Sequence, residues 1–323
     1  MKNFTGEQPN KEPKPQDGAL FKRVLGAATP SKASGVAFSF AAVLPVLLSL
    51  VFLIVITATG LTEKTGYETS DWYLYVSYLL PQLSFALVAI WYLSYTKTPV
   101  KEAVRAQKCH PKYFLIALLL QIGLFSLSEL NGLFLELLSR FGYTDGGILL
   151  PSMDGFGFIG VLLVVAVFPA VFEEIMFRGV LLNGLRSFKS VGAILLCGGL
   201  FSLYHQNPAQ TLYQFCCGAA FAFVALRAGS ILPTMLAHFI NNATILILTR
   251  LGINGFSTPA FIAIVAVSAV CLVLSLGYLI FLDKKQKGEK NEDKGEQKRF
   301  FLCAAVGIAA CALSWLLVLF TGL

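Results

Sequence analysis

The chain contains nine apolar segments, and their lengths limit the folds that it can adopt. Several of them reach about 18 residues or more, the length that crosses a bilayer as an α-helix. The apolar runs are continuous rather than alternating, which excludes a transmembrane β-barrel. With 56% hydrophobic and 13% charged residues, the sequence predicts an all-α, polytopic helical membrane protein with about nine transmembrane segments. These segments are 36–59, 72–95, 113–138, 157–187, 190–205, 210–227, 231–249, 257–282 and 300–320.

Basic residues collect in alternate loops between these segments. The loops near 96–112 and 283–299 are rich in Lys and Arg, whereas those near 60–71 and 140–156 are neutral or acidic. This alternation follows the positive-inside rule and predicts nine crossings with the amino terminus in the cytoplasm. Membrane orientation therefore explains the net charge of +7. We expect a lipid bilayer and no nucleic acid as partner, because a nucleic-acid-binding face would gather its cations on one folded surface.

Three ionisable residues lie close together inside the fourth apolar segment. They are Glu173, Glu174 and Arg178. A charged side chain inside a bilayer costs at least a few kcal/mol, so it normally faces a partner or a water-filled cavity. Glu174 and Arg178 have the i, i+4 spacing of a pair on one helix face. Glu173 is turned about 100° away, so Arg178 can neutralise one carboxylate while the other faces a cavity.

Two later segments carry further polar side chains. His205 lies near the end of the fifth segment, and His238 and Asn242 lie in the seventh at i, i+4 spacing. Counted from the cytoplasmic face at 1.5 Å per residue, Glu173 and His205 lie about 21–22 Å deep, and the other two about 10–17 Å deep. Three separate segments could therefore converge on one buried polar pocket.

These side chains suit a hydrolytic reaction. A carboxylate and an imidazole can hold and deprotonate a water molecule, and a second imidazole with an amide can stabilise the oxyanion. Alternatively, Glu173, His205 and His238 could bind zinc, although the chain has no HExxH motif. Each feature also has a structural interpretation, since an ion pair can join helices and a His–Asn pair can clamp them.

The ordered set of motifs resembles a known family. Glu173-Glu174-x-x-x-Arg178, Phe201-x-x-x-His205 and His238-x-x-x-Asn242 together resemble the signature of the CPBP family. This family contains the CAAX-type prenyl-protein endopeptidases and the bacteriocin-processing, or Abi, membrane proteases. The resemblance covers roughly residues 157–250.

The resemblance implies an intramembrane endopeptidase that is glutamate-dependent or a metalloprotease. Glu173 and His205 would activate the water, while His238 and Asn242 would bind the oxyanion or position the water. Glu174 and Arg178 would shape the site, and Asn241 could replace its neighbour as the amide. No cofactor is required by this interpretation, with zinc as the alternative.

The resemblance also divides the chain. We expect a disordered cytoplasmic tail at 1–35, amino-terminal transmembrane helices at 36–138 and a CPBP-like catalytic core at 157–250. A transmembrane helix at 257–282, a charged cytoplasmic linker at 283–299 and a last transmembrane helix at 300–320 would follow. We place the protein in a bacterial plasma membrane, where prenylated CAAX substrates are not expected. The substrate would then be another membrane-associated peptide or protein.

Two other functions compete with the peptidase. The flanking segments and charged tails carry no recognised signature, which leaves a non-catalytic membrane regulator or scaffold that uses the same fold to bind a partner protein. Buried acids also occur in proton-coupled transporters. However, the sequence shows no pair of related halves with broken helices, as many such transporters have.

Overall fold

The computed structural model describes residues 29–144, 146–253, 255–283 and 292–321. In these ranges the chain is helical and has no β-strand, as the sequence predicted. The helices are numbered here in chain order. They are α1 (Pro30–Ala58), α2 (Asp71–Thr96), α3 (Val100–Val104), α4 (Lys112–Ser139), α5 (Gly157–Ser187), α6 (Ser190–Tyr204), α7 (Pro208–Ala228), α8 (Leu232–Arg250), α9 (Thr258–Leu282) and α10 (Lys294–Thr321).

Eight of these described helices are long and apolar enough to cross a bilayer. The remaining predicted crossing, 190–205, is the 15-residue helix α6. Its length is about 22 Å at 1.5 Å per residue, which is less than a hydrocarbon core of about 30 Å. His205 directly follows the end of α6.

Contacts between helix ends divide the described loops into two faces. Near the start of α1, Ser31 Oγ donates to Gly184 O at 2.8 Å, close to the end of α5. Lys112 at the start of α4 forms an ion pair with Asp283 just after α9, with 3.1 Å between Nζ and Oδ1. All four of these positions belong to the face that the charge pattern assigns to the cytoplasm.

The opposite face is joined in the same way. Ser152 N donates to Asp71 Oδ1 at 2.8 Å, which ties the loop before α5 to the start of α2. Tyr143 Oη donates to Asn207 Oδ1 at 3.1 Å, which ties the end of α4 to the turn after α6. The two sets of contacts agree with nine alternating crossings in which α6 counts as one.

Two predicted boundaries need correction. Helix α1 begins at Pro30, so residues 30–35 of the predicted tail are helical, and residues 1–28 lie outside the described part of the chain. The helix starts early because Thr29 accepts a hydrogen bond from Lys32 N and because proline suits a first helical position. Ser34 is fully buried against α5 and donates to Val180 O at 2.7 Å.

The predicted linker 283–299 is likewise shorter than expected. Helix α10 begins at Lys294, and residues 284–291 lie outside the described part of the chain. Asp293 caps the helix, because its Oδ1 accepts from Gly295 N at 2.9 Å and from Glu296 N at 3.1 Å. Six residues of the charged run therefore form the first turns of α10.

Two glycines let α6 and α7 approach closely. A Cβ atom on Gly198 would lie 2.7 Å from Ala219 N, and one on Gly218 would lie 2.8 Å from Gly198 Cα. Small residues at such crossings are common in membrane helices, where they allow close backbone packing. This crossing fixes the position of α6 and hence of His205 at its end.

The outer surface of the bundle is apolar. Helix α9 shows this most clearly, because large aliphatic side chains along its length are more than half exposed. They include Ile262, Val267, Val270, Val273 and Leu274. Such a continuous apolar surface is expected where lipid surrounds the protein. The chain is an integral, multi-pass membrane protein.

Candidate active site

The helix that carries the paired glutamates is irregular on both sides of them. Within α5, an α-helical stretch from Phe168 to Glu174 lies between two π-helical stretches, Leu162–Val167 and Ile175–Leu181. π-Helical turns are rare and often occur at functional sites. Pro169 lies at the start of the middle stretch, and it cannot donate the backbone hydrogen bond of an ordinary helix.

Glu174 and Arg178 form the ion pair that their spacing predicted. The distance between Arg178 Nη1 and Glu174 Oε1 is 2.8 Å, and both side chains are fully buried. The guanidinium carbon also lies 4.3 Å from the centroid of the Phe201 ring, and Nη2 donates to Gly218 O at 3.4 Å. Three helices therefore surround this buried charge.

Both oxygens of Glu174 are occupied by donors. Oε1 accepts from Arg178 and lies 3.1 Å from His238 Nδ1, while Oε2 accepts from Thr234 Oγ1 at 2.7 Å. A carboxylate whose two oxygens both accept hydrogen bonds from the protein holds those donors in place. Thr234 was missed by sequence reasoning, although it lies one helical turn before His238.

Glu173 has a different environment from its neighbour. Its Oε2 atom is buried and has no hydrogen-bond partner within the described residues. It lies 3.9 Å from His238 Nε2, which is too far for a direct hydrogen bond. One water molecule can span this gap, since two hydrogen bonds of about 2.8 Å cover it. Glu174 therefore accepts hydrogen bonds at both oxygens, whereas Glu173 Oε2 is left without a hydrogen-bond partner among the described residues.

His238 lies between the two carboxylates. Because Glu174 Oε1 is an acceptor, the nitrogen facing it, Nδ1, carries a proton. In the neutral ring Nε2 is then the unprotonated nitrogen, and it faces Glu173. The ring is also in contact with Phe201 and Phe221, at centroid distances of 6.3 and 6.1 Å. The packing therefore fixes both the tautomer and the direction of this imidazole.

His205 reaches the same cluster from α6. Its Nδ1 lies 2.8 Å from Phe201 O, so Nδ1 donates and Nε2 is left free in the neutral ring. Its ring packs on Phe201 at 4.7 Å, so that one phenyl ring is in contact with both histidines. No hydrogen bond between His205 and Glu173 occurs among the described residues.

Asn242 is bound to α5 rather than to the histidines. Its Nδ2 donates to Val165 O at 3.0 Å, and its Oδ1 accepts from Asn241 Nδ2 at 2.9 Å. Asn241 Oδ1 in turn accepts from Gln121 Nε2 at 2.6 Å and from Tyr213 Oη at 3.3 Å. Sequence reasoning missed Gln121 and Tyr213, because each is one of several polar side chains in its helix and neither belongs to a motif.

The cluster does not supply a three-ligand metal site. No group of three or more His, Cys, Asp and Glu side chains in the described ranges is arranged to hold a metal ion. A catalytic zinc ion takes three protein ligands, whereas Glu173 and His238 provide two neighbouring ligand atoms and His205 does not complete the set. The residues therefore do not fit the zinc alternative, and no step below passes through a metal.

The geometry defines a class of protein, a polytopic helical membrane protein with a buried carboxylate–imidazole cluster. Residues 155–244 match the family model described as Type II CAAX prenyl endopeptidase Rce1-like. This segment is similar to the CAAX-type prenyl endopeptidase family, which its three motifs also resemble. The matched segment contains all three motifs and leaves α1–α4, α9 and α10 outside. No curated protein and no solved structure matches the chain.

Proposed function

We propose that the chain is an intramembrane endopeptidase that hydrolyses a peptide bond of a membrane-associated peptide or protein. One observation carries this proposal above the others. Glu173 Oε2 is buried, unpartnered within the described residues and 3.9 Å from His238 Nε2. An open carboxylate beside an unprotonated imidazole nitrogen is an arrangement that holds a water molecule by both of its hydrogens.

In the proposed reaction Glu173 is the general base. The water donates one hydrogen bond to Glu173 Oε2 and one to an imidazole nitrogen, so a lone pair of its oxygen is free for the carbonyl carbon. As the water attacks, its proton passes to Glu173 with the help of His205. The same proton then moves to the leaving amine nitrogen when the C–N bond breaks, which restores the carboxylate.

The remaining side chains position the water molecule and stabilise the negative charge that develops on the carbonyl oxygen. His238 positions the water through Nε2, because Glu174 holds the other ring nitrogen. One N–H of Asn242 is bonded to Val165 O, and the second is available to the carbonyl oxygen as negative charge develops there. Glu174 and Arg178 neutralise each other and hold His238, so neither is assigned a direct part in the chemistry.

The family match supports the choice of the first substrates to be tested. The family description names prenylated CAAX substrates, so a farnesylated CAAX peptide with a fluorophore and a quencher is the first probe. The same peptide without the prenyl group is the second. A bacterial enzyme that acts on other membrane-associated peptides would cleave the unprenylated probe at least as well.

The experiment uses purified protein in lipid nanodiscs. Glu173→Gln keeps the size of the side chain and removes the base, and we expect cleavage to fall by about 10²–10⁴-fold. His205→Ala should also lose most of its activity. Glu136→Gln is the matched control, because Glu136 is an exposed glutamate paired with Arg140 at the end of α4. Cleavage that survives in both site variants would refute the proposal.

A second candidate function rests on the helices outside the family match. Helices α1–α4, α9 and α10 flank the motif helices, and a regulator or scaffold of the same fold would use them to bind a partner protein. This function predicts that a Glu173→Gln chain restores the phenotype of a deletion strain. The peptidase function predicts that it does not.

A further inference from the structure

A groove lies on the outer surface of the bundle between α4 and α9. Its volume is about 640 Å³, which is within the range of pockets that hold small molecules. The groove is open to the surroundings of the bundle, and most of its walls are aliphatic. The residues that form these walls include Leu115, Ile116, Leu119, Val273, Leu274 and Leu282. None of the described residues that line the groove belongs to the Glu173 cluster.

The two helices touch at both ends of the groove and are separated between these ends. A Cβ atom on Gly123 would lie 2.6 Å from Leu272 Cα, so the backbones are in close contact at the inner end. At the cytoplasmic end the ion pair of Lys112 and Asp283 joins the helices. Between the two contacts Gly277 adds to the open space, since a Cβ atom there would meet nothing within 4 Å.

The length and direction of the groove match one leaflet of a bilayer. Its walls run over residues 112–119 of α4 and 273–282 of α9, which is about 10 Å and 13 Å at 1.5 Å per residue. Half of a hydrocarbon core of about 30 Å is about 15 Å. The groove begins at the face that the charge pattern assigns to the cytoplasm, so it lies at the depth of the acyl chains of the cytoplasmic leaflet.

The mouth of the groove presents a cation rather than an anion. The side chain of Lys112 is 33% exposed, whereas that of its partner Asp283 is 3% exposed. Tyr113 Oη also donates to Asp283 Oδ2 at 3.0 Å, so the carboxylate is enclosed by donors. The sequence continues directly into Lys284 and Lys285, which lie outside the described residues. The exposed charge at this end is therefore positive and lies at the level of the lipid headgroups.

We propose that the groove binds one acyl chain of an anionic phospholipid of the cytoplasmic leaflet, with the lipid phosphate at Lys112. Basic pockets between helices on the cytoplasmic side bind anionic headgroups in this way. Lipid that only surrounds the bundle would also fill the groove, but it would show no preference for a negative headgroup. The site goes beyond the proposed peptidase, because α4 and α9 lie outside the matched residues 155–244.

The first experiment measures headgroup selectivity by native mass spectrometry. The full chain is released from nanodiscs that contain equal amounts of phosphatidylglycerol and phosphatidylcholine with identical acyl chains. We expect one retained lipid, with phosphatidylglycerol preferred about fivefold, as one cation at headgroup level provides. Lys112→Gln should lose this preference, and Lys112→Arg should keep it because it keeps the positive charge. Equal retention of the two lipids by the parent protein would overturn the proposal.

The second experiment fills the groove and leaves the ion pair intact. Gly277→Leu places an isobutyl group in the open space, so the retained phosphatidylglycerol should be lost. The matched control is Gly132→Leu, because a Cβ atom on this α4 glycine also meets nothing within 4 Å and the residue does not line the groove. The control should retain the lipid, and both variants should keep the parental Tm.

If Gly277→Leu does not purify, Leu115→Trp fills the same groove from α4, where Leu115 is 60% exposed. Unchanged retention of phosphatidylglycerol in the groove variant would overturn the proposal, and so would an equal loss in Gly132→Leu. Neither experiment depends on cleavage of a peptide, so their failure would leave the proposed peptidase function as it stands.

Discussion

The buried pair of Glu174 and Arg178 offers a sharp test of how the site is held together. Removing the arginine leaves a carboxylate without its cation among apolar helices, and breaking a buried pair in this way costs about 3–5 kcal/mol. For a protein of this size each kcal/mol shifts the Tm by roughly 2–4 °C. Arg178→Met, which keeps much of the packing against Phe201, should therefore lower the Tm by about 6–20 °C.

The chain contains a matched control for this change. Arg140 and Glu136 have the same i, i+4 spacing and a similar Nη2–Oε1 distance of 3.0 Å, but their side chains are 70% and 61% exposed. An exposed pair contributes about 0.2–1 kcal/mol, so Arg140→Met should shift the Tm by less than about 4 °C. The assay is thermal unfolding of both variants in the same nanodiscs.

A rescue experiment separates the lost charge from the lost packing. Adding Glu174→Gln to Arg178→Met removes the uncompensated charge, and the amide can still bond to Thr234 and His238. We expect the double variant to recover a large part of the lost Tm, since the two changes are coupled. An Arg178→Met variant as stable as Arg140→Met, or a double variant less stable than both single variants, would refute the reasoning.

Two further predictions concern the helix crossing and the metal. Gly198→Ala should lower both the Tm and the rate of cleavage, because its Cβ would lie 2.7 Å from the backbone nitrogen of Ala219. Gly199→Ala should change neither, since a Cβ there meets nothing within 4 Å. Equal Tm values for the two variants in thermal unfolding would contradict the role of the α6–α7 crossing. Cleavage of the peptide probe should survive dialysis against a strong zinc chelator, and a loss that added zinc restores would revive the metal alternative.

The helices and the two-sided arrangement of the loops could be predicted because they depend on local properties. Continuous apolar runs identified the eight described helices that are long and apolar enough to cross a bilayer, and the ninth predicted segment is the shorter helix α6. The boundaries at Pro30 and Lys294 were missed because both helices begin in polar stretches, where Thr29 and Asp293 cap them. The shortness of α6 could be counted in the sequence, but the position of His205 beside Phe201 and the cluster depends on the packing of α6 on α7.

Only the contacts within one helix of the site could be predicted from the sequence. The i, i+4 rule predicted the contact between Glu174 and Arg178, because both lie on one helix. This rule does not predict contacts between different helices. The imidazole with a ring nitrogen 3.9 Å from Glu173 Oε2 is that of His238, whereas the sequence paired this carboxylate with His205. The bond from Asn242 to the Val165 carbonyl likewise depends on how α8 lies against α5.

The proposed peptidase requires Glu173 to share one water molecule with an imidazole inside the membrane. An experimental structure in lipid nanodiscs, at a resolution that shows ordered water, would reveal this water. We expect one solvent peak within hydrogen-bond distance of both Glu173 Oε2 and a histidine ring nitrogen. A Glu173 carboxylate that lies more than about 6 Å from both histidine rings, beyond the span of two hydrogen bonds, would contradict it.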